Sequence, residues 1–131
     1  MMKEQRDMAT LPITIAGEVV HGKGLGRTVG MPTANLQVTT GTLPATGVYV
    51  TRIQIEGKIY NSITNIGRRP SVDGDRHITV ETYILDYHED IYGKNVMLEI
   101  RHFLRPVIRF QSLEEVREQV GKDILEAKKY F

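Results

Sequence analysis

Apolar and polar positions alternate along most of this chain, and the alternation predicts strands. In Asn95–Leu104, the residues Val96, Leu98, Ile100, His102 and Leu104 share one face of an extended segment. Gly47–Glu56 (GVYVTRIQIE) is rich in β-branched residues and reads as a strand. Glu56-Gly57 is a turn signal, and Lys58–Ile66 reads as the returning arm of a hairpin. Ile13–Val20 predicts a short strand interrupted by Gly17, Thr33–Val38 an extended segment, and His77–Tyr87 a further strand. Turn residues mark Thr39–Pro44, Gly67–Asp75 and His88–Lys94 as loops. Arg105-Pro106 closes the last strand, because proline cannot donate to a ladder.

The period then changes. Ser112-Leu113-Glu114-Glu115 is a capping box, with Ser at N-cap and Glu at N3. Leu113, Val116, Val120, Ile124 and Ala127 recur at helical spacing. Lys128 and Lys129 follow, where cations suit the helix dipole. Gly121 costs this helix about 1 kcal/mol relative to Ala. Five or six strands followed by one amphipathic helix predict an all-β antiparallel barrel or sandwich, with the helix packed against it.

Composition narrows the class. The 131 residues suffice for one domain, here a polar, loose lead-in over 1–11 and a folded unit over 12–131. A net charge of +1 leaves no basic footprint for nucleic acid or anionic lipid. The absence of cysteine excludes a disulfide framework and thiolate metal sites, and fits a reducing compartment. Met1–Thr10 lacks the apolar run of a signal peptide, and no stretch approaches the roughly 20 apolar residues of a membrane span. A monomeric cytoplasmic protein is expected.

Candidate chemistry concentrates in Gly22–Asn35 (GKGLGRTVGMPTAN). Glycines let backbone N–H groups approach an anion, and Lys23 and Arg27 can add charge to the same anion. Pro32 stiffens the exit from the loop. If Thr33–Asn35 is extended, a hydroxyl and an amide oxygen lie on one face, which suits a hard cation carried by a nucleotide. The spacing matches neither GxxxxGK[ST] nor GxGxxG, so an idle loop with turn and capping roles for Thr33 and Asn35 stands as the alternative. Glu81 is the second candidate. It shares a strand face with Thr79 and Tyr83, and glutamate is depleted in strands. It reads either as a solvated outer-face carboxylate or as a general base for a hydroxyl nucleophile. The four histidines (21, 77, 88 and 102) show no metal-ligand spacing.

Taken together, Gly17-Glu18-Val19-Val20-His21-Gly22 and Leu25–Leu36, with its PTAN segment Pro32–Asn35, resemble the riboflavin kinase family. Leu43–Tyr49, Asn65–Pro70, Glu81-Thr82-Tyr83, Asp90–Gly93, Leu104–Pro106 and Phe110–Leu113 follow in the same order. The resemblance covers about residues 13–128. It implies a six-stranded antiparallel Greek-key barrel with a C-terminal helix. It implies transfer of the ATP γ-phosphoryl group to the riboflavin 5′-hydroxyl, giving FMN and ADP, with Mg2+ or another divalent cation. By the same resemblance Thr33 and Asn35 serve the metal-nucleotide. Gly22, Lys23, Gly26 and Arg27 line the phosphates, and Glu81 activates the hydroxyl. Ile84, Asp86, Tyr92, Arg105 and Phe110 lie near the flavin. Bacterial members are usually fused to a domain that adenylylates FMN, and with so short a lead-in that activity is not expected of this chain. Met31 stands where many members carry an aromatic, and Ile108 where some carry a lysine. Competing readings are a non-catalytic flavin or nucleotide binder and an oligonucleotide-binding barrel. Aromatic content of 7% and the absence of tryptophan weigh against the latter.

Overall fold

A computed structural model describes residues 11–20, 33–70 and 76–131. Among the described residues are six strands, β1 (Ile13–Val20), β2 (Thr33–Thr40), β3 (Gly47–Ile55), β4 (Lys58–Pro70), β5 (Arg76–Ile84) and β6 (Asn95–Arg105), followed by a helix, α1 (Leu113–Ala127). The strands close into a barrel in the order β1-β2-β5-β4-β3-β6, and every pairing is antiparallel. Closure leaves no unpaired sheet edge.

Alternation sorts side chains into two cores. Ile15, Val19, Leu36, Tyr49, Ile53, Ile66, Val80, Ile84, Val96, Leu98 and Ile100 fill the interior. Each such aliphatic side chain contributes about 1.5–3 kcal/mol when fully buried. The outward residues Val48, Val50 and Ile63 form a second cluster with Ala127 of α1, and Leu85, Leu104, Ile124 and Phe131 pack against it. The helix therefore covers one sector of the outer wall, over β3, β4 and β6.

Four hydroxyls interrupt the apolar interior. Thr51, Ser62, Thr64 and Thr82 are fully buried. They satisfy one another across three strands: Thr51–Ser62 at 2.7 Å, Thr51–Thr64 at 2.9 Å and Thr64–Thr82 at 2.9 Å. Buried polar groups are tolerated when paired in this way.

The alternation expected for β6 holds only to Ile100. The β3 partners run Thr51↔Ile100, Val50↔His102, Tyr49↔Phe103 and Val48↔Arg105, so Arg101 and Leu104 are extra residues. Each bulge shifts the parity of the strand. His102 therefore leaves the interior face and stacks on Tyr130 with ring centroids 4.4 Å apart, while Phe103 packs edge-on against Tyr49 at 5.5 Å.

Other boundaries also move. β4 continues through Gly67–Pro70, expected as loop, because β5 pairs with it as far as Pro70↔Arg76. β5 stops at Ile84, three residues before the expected end. Asp86 adopts a left-handed φ of 57°, which turns the chain back so that Tyr87 meets Tyr60 edge-on at 4.7 Å. Tyr87 and Ile91 join the interior cluster there.

The helix begins as its capping box predicts. The Ser112 hydroxyl accepts from the Glu115 N–H at 3.2 Å. The Glu115 carboxylate accepts from the Gln111 N–H at 2.8 Å, one residue earlier than the expected reciprocal bond to Ser112. An ion pair fixes the helix to β6: Arg105 Nε and Nη2 each donate to an Asp123 oxygen at 2.8 Å. Gln119 Nε2 donates to the same carboxylate at 3.0 Å.

Candidate functional site

Thr33 and Asn35 face outward from β2, while Ala34 and Leu36, at 4% and 7% exposure, point into the barrel. A hydroxyl and an amide thus stand two residues apart on one face, as an extended PTAN segment predicts. Asn35 lies directly opposite Glu81 on β5, and Thr33 directly opposite Tyr83. Directly opposed residues of an antiparallel pair share a face, with Cβ atoms about 4.5–5.5 Å apart. Glu81 is half-buried, and its neighbours Val80 and Thr82 are core residues at 2% and 0% exposure. The carboxylate therefore points outward, beside the amide of Asn35.

The row continues. Glu81 is also opposed by Asn65 of β4, Asn65 by Val48 of β3, and Val48 by Arg105 of β6. One register line thus runs Asn35, Glu81, Asn65, Val48, Arg105 over the outer wall. Its first three positions are polar. Its fourth lies under α1, and its fifth anchors α1 through Asp123.

The remaining candidates fall in three groups. Gly22, Lys23, Gly26 and Arg27 lie outside the described residues, as does Met31. They belong to the connection between β1 and β2, and Asn35 sits on β2 close to where that connection arrives. Asp86 and Tyr92 are exposed on the segment that follows β5, and the Tyr92 N–H donates to Asp90 Oδ1 at 3.0 Å. Phe110 is half-buried just before α1, with Ile108 exposed beside it. The other two are engaged within the fold. The Ile84 side chain is 4% exposed and packs in the interior, leaving mainly its backbone for a ligand. Arg105 spends its guanidinium on Asp123 and on the Pro106 carbonyl.

The donor set bears on a metal. Among the described residues no group of three or more His, Cys, Asp or Glu side chains could hold an ion. A protein-only cage is therefore not formed by them. One hydroxyl and one amide oxygen instead fit a hard cation that brings phosphate and water ligands of its own.

Sequence reasoning passed over Asn65 and Tyr83 as site residues. Asn65 carried a signal, being an amide near the end of a predicted strand, but its position beside Glu81 depends on a strand register that local pattern does not show.

The described residues thus form a closed antiparallel barrel with a polar row, Asn35, Glu81 and Asn65, on its outer wall. The family model described as "Flavokinase: Riboflavin kinase" matches residues 9–131, and the chain belongs to the riboflavin kinase family. It is similar to the bifunctional riboflavin kinase/FMN adenylyltransferase of Haemophilus influenzae, with 37% identity over 92% of this chain and 39% of that protein. The Escherichia coli protein of the same description is 40% identical over 92% of this chain and 38% of its own length. The chain thus spans about two fifths of the curated relatives it matches. Among solved structures, one described as a macrolide-efflux protein from Streptococcus pneumoniae superposes with a TM-score of 0.87 at 30% identity, covering 97% of this chain and 45% of that one. Riboflavin kinase from Trypanosoma brucei superposes with a TM-score of 0.60 at 22% identity, over 91% of this chain and 79% of that one, and shares the fold. Among the described residues no helix is long and apolar enough to cross a membrane.

Proposed function

We propose that this domain transfers the γ-phosphoryl group of ATP to the 5′-hydroxyl of riboflavin, forming FMN and ADP. The observation that carries the reading is the register Asn35↔Glu81 on the outer face of β2 and β5. It sets a carboxylate beside the PTAN segment, and the opposite arrangement, with the two on different faces, would have separated base from nucleotide.

Phosphoryl transfer asks for positioning and charge neutralisation more than for covalent chemistry by the protein. Thr33 and Asn35 hold the nucleotide and its divalent cation on the β2 side. A divalent cation held there by Thr33 and Asn35 would supply charge neutralisation to the nucleotide phosphates. Gly22, Lys23, Gly26 and Arg27 contribute N–H groups and positive charge to the same phosphates. Glu81 accepts the proton of the attacking hydroxyl as the new P–O bond forms, and ADP leaves with the electron pair of the broken P–O bond. A carboxylate serves here because it needs the proton only late in the transfer. Asp86, Tyr92, Phe110 and the Ile84 backbone supply the flavin side, with Arg105 holding the adjoining helix. The working unit is a monomer that needs neither nucleic acid nor a membrane.

Incubating the protein with riboflavin, ATP and Mg2+ and resolving the flavins by chromatography tests this directly. FMN is the expected product. Tight flavin binding without FMN would leave the non-catalytic binder as the correct reading.

A further inference from the structure

The row across the outer wall contains one polar position that the reading above does not use. We infer that Asn65 contacts the hydroxyl groups of the acceptor's ribityl chain and so selects for a polyol-bearing flavin. The inference rests on the kinase reading of the same site.

Order along the register line carries it. Asn35 and Thr33 lie on β2, Glu81 on β5 and Asn65 on β4, in that spatial sequence. In phosphoryl transfer the attacking and leaving oxygens stand roughly in line on opposite sides of the phosphorus. With the nucleotide on the β2 side and Glu81 receiving the proton, the acceptor alcohol enters from the β4 side. Its chain then passes over Asn65. One position further the line reaches Val48, which is 3% exposed and packed in the cluster beneath α1. Asn65 is therefore the last open polar position before the helix wall.

The residue type agrees. Asn65 is exposed between Thr64 and Ile66, both 0% exposed. Asparagine is depleted in strand interiors, and no turn or cap uses it here. A Cβ built on Gly67 would lie 4.0 Å from Asn65 Oδ1 and 3.4 Å from Thr79 Oγ1, so the amide and the Thr79 hydroxyl stand around Gly67 on the face that carries Glu81. An uncharged amide offers both donors and an acceptor, as a polyol does, and adds no charge to the phosphates.

The test compares riboflavin with lumiflavin, which has the same ring system but no ribityl chain. Both are titrated by flavin fluorescence against the wild type and Asn65→Ala, with unfolding followed to confirm an unchanged Tm. The expected result is a riboflavin Kd weakened on the order of 3- to 10-fold, the loss of one or two neutral hydrogen bonds. Lumiflavin Kd and the KM for ATP stay unchanged. An unchanged riboflavin Kd overturns the assignment, as does an equal loss for lumiflavin or a shifted KM for ATP. If the wild type binds riboflavin but forms no FMN, the kinase reading fails alone, and the riboflavin–lumiflavin difference still decides the role of Asn65. If the wild type does not bind riboflavin, both fall.

Discussion

β4 and β5 carry polar residues on both faces, and the two faces treat them differently. Inward, Thr64 and Thr82 bond each other at 2.9 Å and join Thr51 and Ser62 in a closed set of hydroxyls. Outward, one residue away along each strand, Asn65 and Glu81 stand opposite each other and beside Asn35. The inner groups are sealed from water and must satisfy themselves, because an unpaired buried hydroxyl is costly. The outer groups are reachable and carry amide and carboxylate chemistry that a ligand can use. On the proposed reading, polar residues on this strand pair serve the fold on one face and the reaction on the other. The single-residue step between faces separates the two roles.

Four substitutions bear on that separation. The largest effect is expected at Glu81→Gln, which should lower turnover by about 10²–10⁴-fold, the range for a positioned base, while leaving Tm within a degree or so. FMN formation followed by chromatography checks it, and undiminished turnover would remove Glu81 from its role. Next comes Asp123→Ala. It leaves the largely buried Arg105, whose side chain is 18% exposed, without its carboxylate. A loss of about 2–4 kcal/mol is expected, less than for a fully buried pair because Arg105 keeps some solvent. Denaturant titration measures it, and loosening of α1 should also raise the riboflavin Kd.

Thr64→Val sharpens the inner half of the comparison. It keeps the shape but removes two hydroxyl bonds, leaving Thr82 without its Thr64 partner while Thr51 keeps Ser62. About 1–3 kcal/mol of stability should be lost, a fall in Tm of several degrees, with kcat changed less than about twofold. A large fall in kcat at unchanged Tm would show that the inner hydroxyls act on the outer site after all. The smallest effect is expected at Ser112→Ala, which removes the N-cap acceptor of α1 at a cost of about 0.5–1 kcal/mol. Thermal unfolding reads that change, and FMN formation should be unaffected.

Much of the fold was legible because its signals are local. The hairpin at Glu56-Gly57 follows from strands of period two around a left-handed turn, and both turn residues do have positive φ, at 50° and 83°. The Ser112 cap follows from a hydroxyl three residues before a glutamate. The bulges at Arg101 and Leu104 were not legible, since nothing in Arg101-His102-Phe103-Leu104 marks an extra residue. They show only in the register between β3 and β6, which skips Arg101 and Leu104. The same difficulty hid the pairing of β4 beyond Ile66. Gly67 and Pro70 read as turn material, yet the long-range ladder with β5 holds them extended.

At the candidate site the division is similar. Glu81 stood out by type, an acid within a β-branched run, and the PTAN segment by composition. Neither said that the two are neighbours. Asn65 was marked as part of the Asn65–Pro70 segment, but its place beside Glu81 comes only from the strand it opposes.

By itself, then, the sequence determined the strand periods, the hairpin turn, the helix start and the family to which the chain belongs, all properties written within a few residues or in ordered motifs. Tertiary structure alone decided which face of β5 meets which face of β2, that Thr33, Asn35 and Glu81 lie on the outer wall rather than in the interior, and that Arg105 is tied to Asp123. Those outcomes depend on register between strands far apart in the chain. A slip of one residue would have turned Glu81 into the core and Thr82 outward. Closure of the barrel and the filling of its interior fixed that register.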